Sequence, residues 1–142
     1  MGHEGTPSAL DEAVARVGDR WALLVVHALL GGPRRFNDLL GEVGGVASNV
    51  LTARLRHLER GGVVMARPYS RRPPRFVYEL TASGRELAGA LRLLESWGAG
   101  RGSDSADALR HDACGTPLEA RWWCPTCARM AEDDHADEVR YL

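Results

Sequence analysis

Residues 36–60 read FNDLLGEVGGVASNVLTARLRHLER, a stretch that holds two short helical patterns with a glycine-containing turn between them. The first pattern places apolar residues at positions 36, 39 and 40 and ends near residues 41–45. The second begins at Ser48, a predicted N-cap, repeats leucine at positions 51, 55 and 58, and stops at Gly61-Gly62. Two such helices form a helix-turn-helix unit, whose second helix is shaped to fit the major groove of DNA.

The face of the second helix opposite its leucines carries side chains suited to reading base edges. At about 100° per residue, that face presents Asn49, Ala53, Arg56 and Arg60, with Thr52 at its flank. Asparagine can bond adenine bidentately, and arginine can bond guanine. We therefore predict base contacts for Asn49, Thr52 and Ala53 and a base or phosphate contact for Arg56. Ser48, at the start of the helix with free N–H groups behind it, suits a phosphate oxygen.

Two helices are predicted before this unit. The first begins at Ser8, a candidate N-cap, and repeats apolar residues at three- and four-residue spacing up to Val17. The second, Trp21–Leu30, is apolar almost all round, so we expect it to be buried, and Gly31-Gly32-Pro33 closes it. His27 and His57 lie in or beside helix cores, where a structural role is expected.

A hairpin and one more helix are predicted after the unit. Strands over residues 63–67 and 75–80 flank an exposed basic turn, residues 68–74, in which Arg71 and Arg72 could lie along a neighbouring groove or the DNA backbone. Thr81 or Ser83 then caps a final helix with an apolar side made of Leu87, Leu91, Leu94 and Trp97. The predicted fold is α+β, mainly α: a winged helix-turn-helix domain over residues 8–98 with a two-stranded wing.

The charge distribution favours DNA as a partner, although the net charge of the 142 residues is only −1. Residues 1–98 hold 13 arginines and 10 acidic residues, a balance of +3, whereas residues 99–142 hold 5 and 9, a balance of −4. Local positive charge governs phosphate contact, because salt screens distant charges. The longest apolar run is about half a membrane span, and the N-terminus does not resemble a secretory signal, so we expect a cytoplasmic location.

Four motifs make residues 8–98 resemble the HxlR-type winged-helix regulators, relatives of the MarR group. They read VGDRWALL from Val17, GPRRFNDL from Gly32, SNVLTARLRHLE from Ser48 and PPRFVYELT from Pro73, and the helix up to Gly98 completes the match. The resemblance implies a transcription regulator that binds double-stranded DNA near a promoter as a homodimer, joined through the first and last helices of the domain. It also implies recognition-helix roles for Ser48, Asn49, Thr52 and Arg54 and wing roles for Arg71 and Arg72.

The set of predicted DNA-binding residues comprises Arg35, Ser48, Asn49, Thr52, Ala53, Arg54, Arg56, Arg71 and Arg72. Two recognition helices in a dimer should meet a palindromic operator. One departure from the family concerns the start of the first helix, where many members carry a sensor cysteine and this chain has Ser8. A hydroxyl forms no thiolate, which excludes redox sensing at that position. The operator sequence, the direction of regulation and any small-molecule effector stay open.

The remaining residues are predicted to form a linker, residues 99–108, and a zinc-ribbon-like tail, residues 109–142. The tail contains His111-x2-Cys114 and Cys124-x2-Cys127, with a predicted strand over residues 118–123 between them. Zinc takes four such ligands in a tetrahedron, and a tail with so few large apolar residues has little core without a metal. We predict a structural zinc on His111, Cys114, Cys124 and Cys127. His135 in place of His111, or an open fourth position, are the alternatives.

Other functional classes have less support in the sequence than a DNA-binding regulator has. It contains no Ser/His/Asp set, phosphate loop or carboxylate pair, so no enzymatic activity is expected. One alternative is a thiol-disulfide oxidoreductase using Cys124 and Cys127, although that motif needs a strand-helix context in a βαβ fold. Another is a protein-interaction adaptor whose winged helix does not contact DNA. A third leaves the cysteines as free thiols on a disordered acidic tail.

Overall fold

The computed structural model describes residues 6–100 and 108–131. The chain divides into two compact units, residues 1–91 and 92–142, and each is described by itself. Up to residue 100 the elements are α1 (Ala9–Val17), α2 (Arg20–Leu30), β1 (Arg34–Arg35), α3 (Phe36–Glu42), α4 (Ser48–Arg60), β2 (Val64–Arg71), β3 (Pro74–Leu80), α5 (Ala82–Glu86) and α6 (Ala88–Gly98). Residues 108–131 contain β4 (Trp122–Cys124) and β5 (Arg129–Ala131). Within these described ranges, no helix has the length and apolar character needed to cross a bilayer.

Side-chain caps fix the starts of three helices. Ser8 caps α1 as predicted, because its hydroxyl accepts the Asp11 N–H at 3.1 Å while the Asp11 carboxylate accepts the Ser8 N–H at 3.0 Å. Hydrogen bonds from the Ser8 hydroxyl and backbone lower the pKa of Asp11. Asp19 caps α2 through the N–H groups of its first turn. Thr81, rather than Ser83, caps α5 by accepting the Gly84 N–H at 3.1 Å.

Helix α4 starts one residue away from the predicted cap. Its N-cap is Ala47, which offers no side-chain cap, and Ser48 is the first helical residue. The Ala47 carbonyl accepts the N–H of Leu51 at 2.9 Å, and this bond closes the first turn where Leu51 enters the core. The predicted stripe itself is confirmed, since Leu51, Leu55 and Leu58 are all buried.

The core of the first unit lies between α2, α3, α4 and the sheet. Its buried side chains from α2 are Ala22, Val25, Val26 and Leu29. The expectation that α2 is buried all round was wrong, because Leu24 is 39% exposed and His27 is exposed. Helices α3 and α4 and strand β3 pack against α2 from one side only, so the opposite side meets solvent.

The wing belongs to a three-stranded antiparallel sheet of order β1-β3-β2. The sequence did not predict β1, which consists of two residues and pairs Arg34 with Tyr78 and Arg35 with Val77. Strands β2 and β3 run to Arg71 and Pro74, so the long turn predicted over residues 68–74 was wrong and only residues 72–73 connect the strands. Backbone pairing continues because a bulge at residue 69 absorbs one extra residue of β2. The predicted winged helix-turn-helix fold is confirmed.

The single final helix of the prediction is divided into α5 and α6 around Leu87. Helix α5 packs so closely on the start of the hairpin that a Cβ on Gly84 would lie 2.2 Å from the Val63 carbonyl oxygen. On α6, Leu91 is buried, whereas Leu94 and Trp97 are 51% and 83% exposed. The apolar side predicted for this helix therefore exists, but only its first turns are covered.

In the second unit, β4 and β5 form an antiparallel pair with Trp123 opposite Met130. The strand predicted over residues 118–123 was wrong in its start, because the backbone at residues 117–118 pairs instead with residues 109–110. No residue of 108–131 is buried. Residues 101–107 of the predicted linker and residues 132–142, with His135, lie outside the described residues.

Candidate nucleic-acid interface

The side of α4 opposite its leucines faces solvent. Thr52 is partly buried at the flank, as the spacing predicted, and the exposed residues are Ser48, Asn49, Ala53, Arg56 and Arg60. Within the described residues the Asn49 amide has no hydrogen-bond partner, so its donors and its acceptor are available. The Thr52 hydroxyl donates to the Ser48 carbonyl at 2.9 Å and keeps its acceptor capacity for another partner.

Arg54 lies apart from this exposed face. Its Nη1 is 3.9 Å from Asp19 Oδ2, and the two side chains are 35% and 41% exposed. Asp19 also caps α2 through its other carboxylate oxygen, so Arg54 is directed towards the start of α2. The structure therefore separates Arg54 from the other predicted residues of the recognition helix.

Two contacts that the sequence did not reveal fix the position of α4. Arg16, at the end of α1, donates from Nε and Nη2 to the Gly61 carbonyl at 3.1 and 2.7 Å. His57 Nε2 lies 3.0 Å from the Ala15 carbonyl, which confirms a structural role for this histidine. Both contacts join residues more than 40 positions apart in the chain, and no local pattern signals them. Helix α1 thus holds the C-terminal end of α4.

The tip of the wing presents unpaired positive charge. Arg71 and Arg72 are exposed, and within the described ranges neither has a carboxylate within ion-pair distance. Arg67, further down β2, differs because its Nη2 lies 3.4 Å from Glu79 Oε2. The charge of both predicted wing residues is therefore available to an external partner.

The neighbouring residues Arg34 and Arg35 differ in their contacts, because Arg34 is paired with a carboxylate and Arg35 lies over an aromatic ring. Arg34 Nε bonds Glu42 Oε1 at 2.7 Å, and its Nη1 donates to the backbone carbonyls of residues 32 and 33. Arg35 is exposed, and its guanidinium carbon lies 4.8 Å from the centre of the Tyr69 ring, a cation–π distance. Of the two, Arg35 is the one accessible to an anion, as its place among the predicted DNA contacts requires.

A surface cleft of about 520 Å³ lies beside Arg35, between α3 and the wing. Its aromatic lining consists of Phe36, Tyr69, Phe76 and Tyr78. Burial, followed by the negative charge of Glu59, raises the pKa of the Tyr78 phenol. The sequence indicated no such cleft, because the pairing of β1 with β3 brings its two walls together from distant parts of the chain.

The four predicted metal ligands lie in two pairs. His111 Nδ1 is 3.3 Å from Cys114 Sγ, and hydrogen bonds from the Thr116 side chain and backbone, then from His111, lower the pKa of the Cys114 thiol. Hydrogen bonds from the Cys127 backbone and then its side chain lower the pKa of the Cys124 thiol. No three His, Cys, Asp or Glu side chains within residues 6–100 and 108–131 are grouped closely enough to hold a metal. Zinc binding therefore requires the two pairs to move together.

Comparisons with known proteins agree on one family. The sequence profile described as HxlR-like helix-turn-helix matches residues 16–105. An uncharacterized HTH-type transcriptional regulator of Mycobacterium tuberculosis is 34% identical over 130 residues, 89% of this chain and 82% of that protein. The structure of a candidate transcription factor from Pseudomonas aeruginosa is similar with a TM-score of 0.65 and 29% identity, over 83% of this chain and 82% of that one. The redox regulator HypR in its reduced form is similar with a TM-score of 0.61 and 28% identity, over 64% and 90%.

Proposed function

This chain belongs to the HxlR-like helix-turn-helix family of transcriptional regulators, and from this premise we propose that it is a homodimer whose two α4 helices bind a palindromic operator. The family consists of DNA-binding regulators, and the chain is a regulator rather than an enzyme. The observation that carries the proposal is the exposed face of α4. Asn49 and Arg56 project from it beside the small Ala53, which lets the helix approach the base edges closely.

The proposed contacts divide into base contacts and phosphate contacts. Asn49, Thr52 and Ala53 read bases, and Arg56 reads a base or binds a phosphate. The N–H groups at the start of α4, with Ser48 as first helical residue, favour a phosphate oxygen. The remaining phosphate contacts are assigned to Arg54, which lies on α4 beside Asp19, and to three arginines outside this helix: Arg35, Arg71 and Arg72.

Exposed apolar side chains on α1 and α6 support the dimer. Helix α1 has no buried residue, and its Leu10 and Val14 are 72% and 55% exposed. On α6, Leu94 and Trp97 are exposed to a similar or greater extent. An amphipathic helix normally buries its apolar side, and a partner copy would cover these side chains. A two-fold dimer then places its recognition helices about 34 Å apart, one turn of DNA.

Selection of binding sites from a random duplex library tests this function. We expect a palindrome with half-site centres about 10 base pairs, or a multiple, apart, and a dimer by light scattering at micromolar concentration. Asn49→Ala should relax the preference at one base pair per half-site, a loss of about 1–3 kcal/mol of discrimination. Asn37→Ala, an exposed asparagine on α3, is the matched control and should keep the full preference. A monomer, or an unchanged base preference in Asn49→Ala, contradicts the proposal.

We also propose that the tail binds one structural zinc through His111, Cys114, Cys124 and Cys127. The donor chemistry supports it, since three thiolates and an imidazole form a common zinc set, and each pair is already close. The absence of any buried residue within 108–131 gives the tail little other source of stability. With four protein ligands no position is left for water, so the metal would be structural. His135 remains the alternative to His111.

Elemental analysis of protein purified without added metal tests the zinc proposal. We expect about one zinc per chain, and Cys124→Ser should abolish it because the pair loses a thiolate. Thr126→Ala, in the same turn, is the control and should retain the metal. Metal removal should raise amide exchange in residues 109–130 while the winged helix stays protected. A metal-free protein with an unchanged, ordered tail contradicts the proposal, as does a Cys124–Cys127 disulfide in freshly isolated protein.

The alternative of a thiol-disulfide oxidoreductase has less support. Cys124 ends β4 and Cys127 lies in the turn that leads to β5. Thioredoxin-type motifs instead follow a strand and open a helix within a βαβ fold. The other alternative is a protein-interaction adaptor that does not bind DNA. The selection experiment with random duplexes distinguishes it from the proposed regulator, because an adaptor would select no binding site.

A further inference from the structure

We propose that hydrogen bonds between α1 and α4 determine how far apart the two halves of the operator must lie, and that Arg16 and His57 are positioning residues for DNA binding. Both roles rest on the homodimer and the palindromic operator proposed above. Neither side chain is assigned a base or phosphate contact. Both act through the recognition helix, which they join to a helix of the proposed dimer interface.

Helices α1 and α4 each bond to the C-terminal end of the other. From the last turn of α1, Arg16 Nε and Nη2 lie 3.1 and 2.7 Å from the carbonyl oxygen of Gly61, the C-cap of α4. From the last turn of α4, His57 Nε2 lies 3.0 Å from the Ala15 carbonyl oxygen of α1. A carbonyl oxygen can only accept, so this nitrogen donates. The C-terminal end of a helix has carbonyls without partners and partial negative charge, so donors such as these bind there favourably.

These bonds are important because little else fixes the direction of α1. Val17 is the one residue of α1 that is partly buried, and the others are exposed. Helix α4 differs, since Leu51, Leu55 and Leu58 anchor it in the core. Loss of either bond would therefore let α1 swing relative to the domain while α4 keeps its place in the core.

In the dimer, a swing of α1 becomes a displacement of the residues that read bases. Helix α1 carries Leu10 and Val14, which are assigned to the dimer contact, so each domain is joined to its partner partly through this helix. Asn49 and Gly61 lie about 18 Å apart along α4, at about 1.5 Å per residue. A rotation of about 10° about the C-terminal end of α4 moves Asn49 by about 3 Å, nearly the rise of about 3.4 Å per base pair. The bonds would thus restrict the dimer to one half-site spacing.

Fluorescence titration of duplexes with altered spacing tests this role. The labelled probes carry two inverted copies of the selected half-site at the selected spacing, the same copies with one base pair added or removed, or a single copy. In the wild type, an added or missing base pair should raise the Kd about tenfold, because the duplex or the dimer must deform. In Arg16→Gln and His57→Leu this ratio should fall to about threefold or less, since the loosened dimer can follow the altered site. The Kd for the single copy should stay within about twofold of the wild type, because the base contacts of one α4 are unchanged.

Two further variants separate positioning from lost charge and lost volume. His57→Gln keeps a side-chain N–H near the place of His57 Nε2 and should restore the wild-type ratio. Arg85→Gln is the matched control, because it removes the charge of an exposed arginine on α5 and should also keep that ratio. Circular dichroism and light scattering show whether each variant is folded and dimeric. If Arg16→Gln does not fold, the comparison of His57→Leu with His57→Gln decides.

Wild-type spacing ratios in both Arg16→Gln and His57→Leu overturn the inference. An equal loss of affinity for every duplex, including the single copy, also overturns it, because the bonds would then only stabilise α4. So does a ratio that falls as far in Arg85→Gln, or a wild type that binds all spacings equally. A wild type that is monomeric or selects no palindrome contradicts the proposed function itself, whereas a selected palindrome with unchanged ratios in the variants overturns the positioning role alone.

Discussion

Removing the charge at the tip of the wing should change how DNA binding depends on salt. Arg71 and Arg72 are exposed and, among the described residues, have no carboxylate partner, so their positive charge is available to a DNA phosphate. Each phosphate contact contributes about 0.9 to the slope of log K against log salt, because binding releases a condensed counterion. In a dimer each substitution removes two contacts, so Arg71→Ala or Arg72→Ala should lower the slope by about 1.8.

The magnitude is large enough to measure without knowing the operator. Between about 50 and about 200 mM salt, a slope difference of about 1.8 corresponds to a factor of about 12 in affinity. Fluorescence anisotropy with a random-sequence duplex at several salt concentrations gives the slope. Arg67→Ala is the matched control on the same wing, because its guanidinium is already paired with Glu79 at 3.4 Å. Equal slopes in the wild type and both tip variants, or an equal fall in Arg67→Ala, would refute the wing assignment.

Two further outcomes are expected. Gly84→Ala should destabilise the fold by about 1–3 kcal/mol, because its Cβ would meet the Val63 carbonyl oxygen at 2.2 Å. A lower melting temperature would show this loss of stability. Gly89→Ala is the control and should melt no lower than the wild type, since a Cβ there would have no neighbouring atom within 4 Å. Any effect of mild oxidant on DNA affinity should depend on the three cysteines of the tail, because the sequence has no other cysteine and the Ser8 hydroxyl forms no thiolate. An oxidant effect that survives replacement of all three cysteines by alanine contradicts this.

Local sequence patterns were enough to predict the helix-turn-helix unit and the exposed face of α4. Leucine at positions 51, 55 and 58 fixes which side of a 3.6-residue helix meets the core, and the opposite side follows from geometry alone. The Ser8 cap was equally readable, because a capping box needs only residues three positions apart. These features depend on neighbours in the chain, and so a local pattern suffices to predict them.

Features that join distant residues became visible only in the folded chain. Strand β1 has two residues, too few for any periodicity, and exists because β3 offers it a pairing edge. The bulge at Tyr69, the bond from Arg16 to the Gly61 carbonyl and the pairing of Arg54 with Asp19 likewise depend on partners far away in sequence. Side-chain periodicity reports which face of an element is covered, but the residue that covers it is fixed only when the whole chain packs. The cleft beside Arg35 follows from such packing, and for that reason no local pattern indicated it.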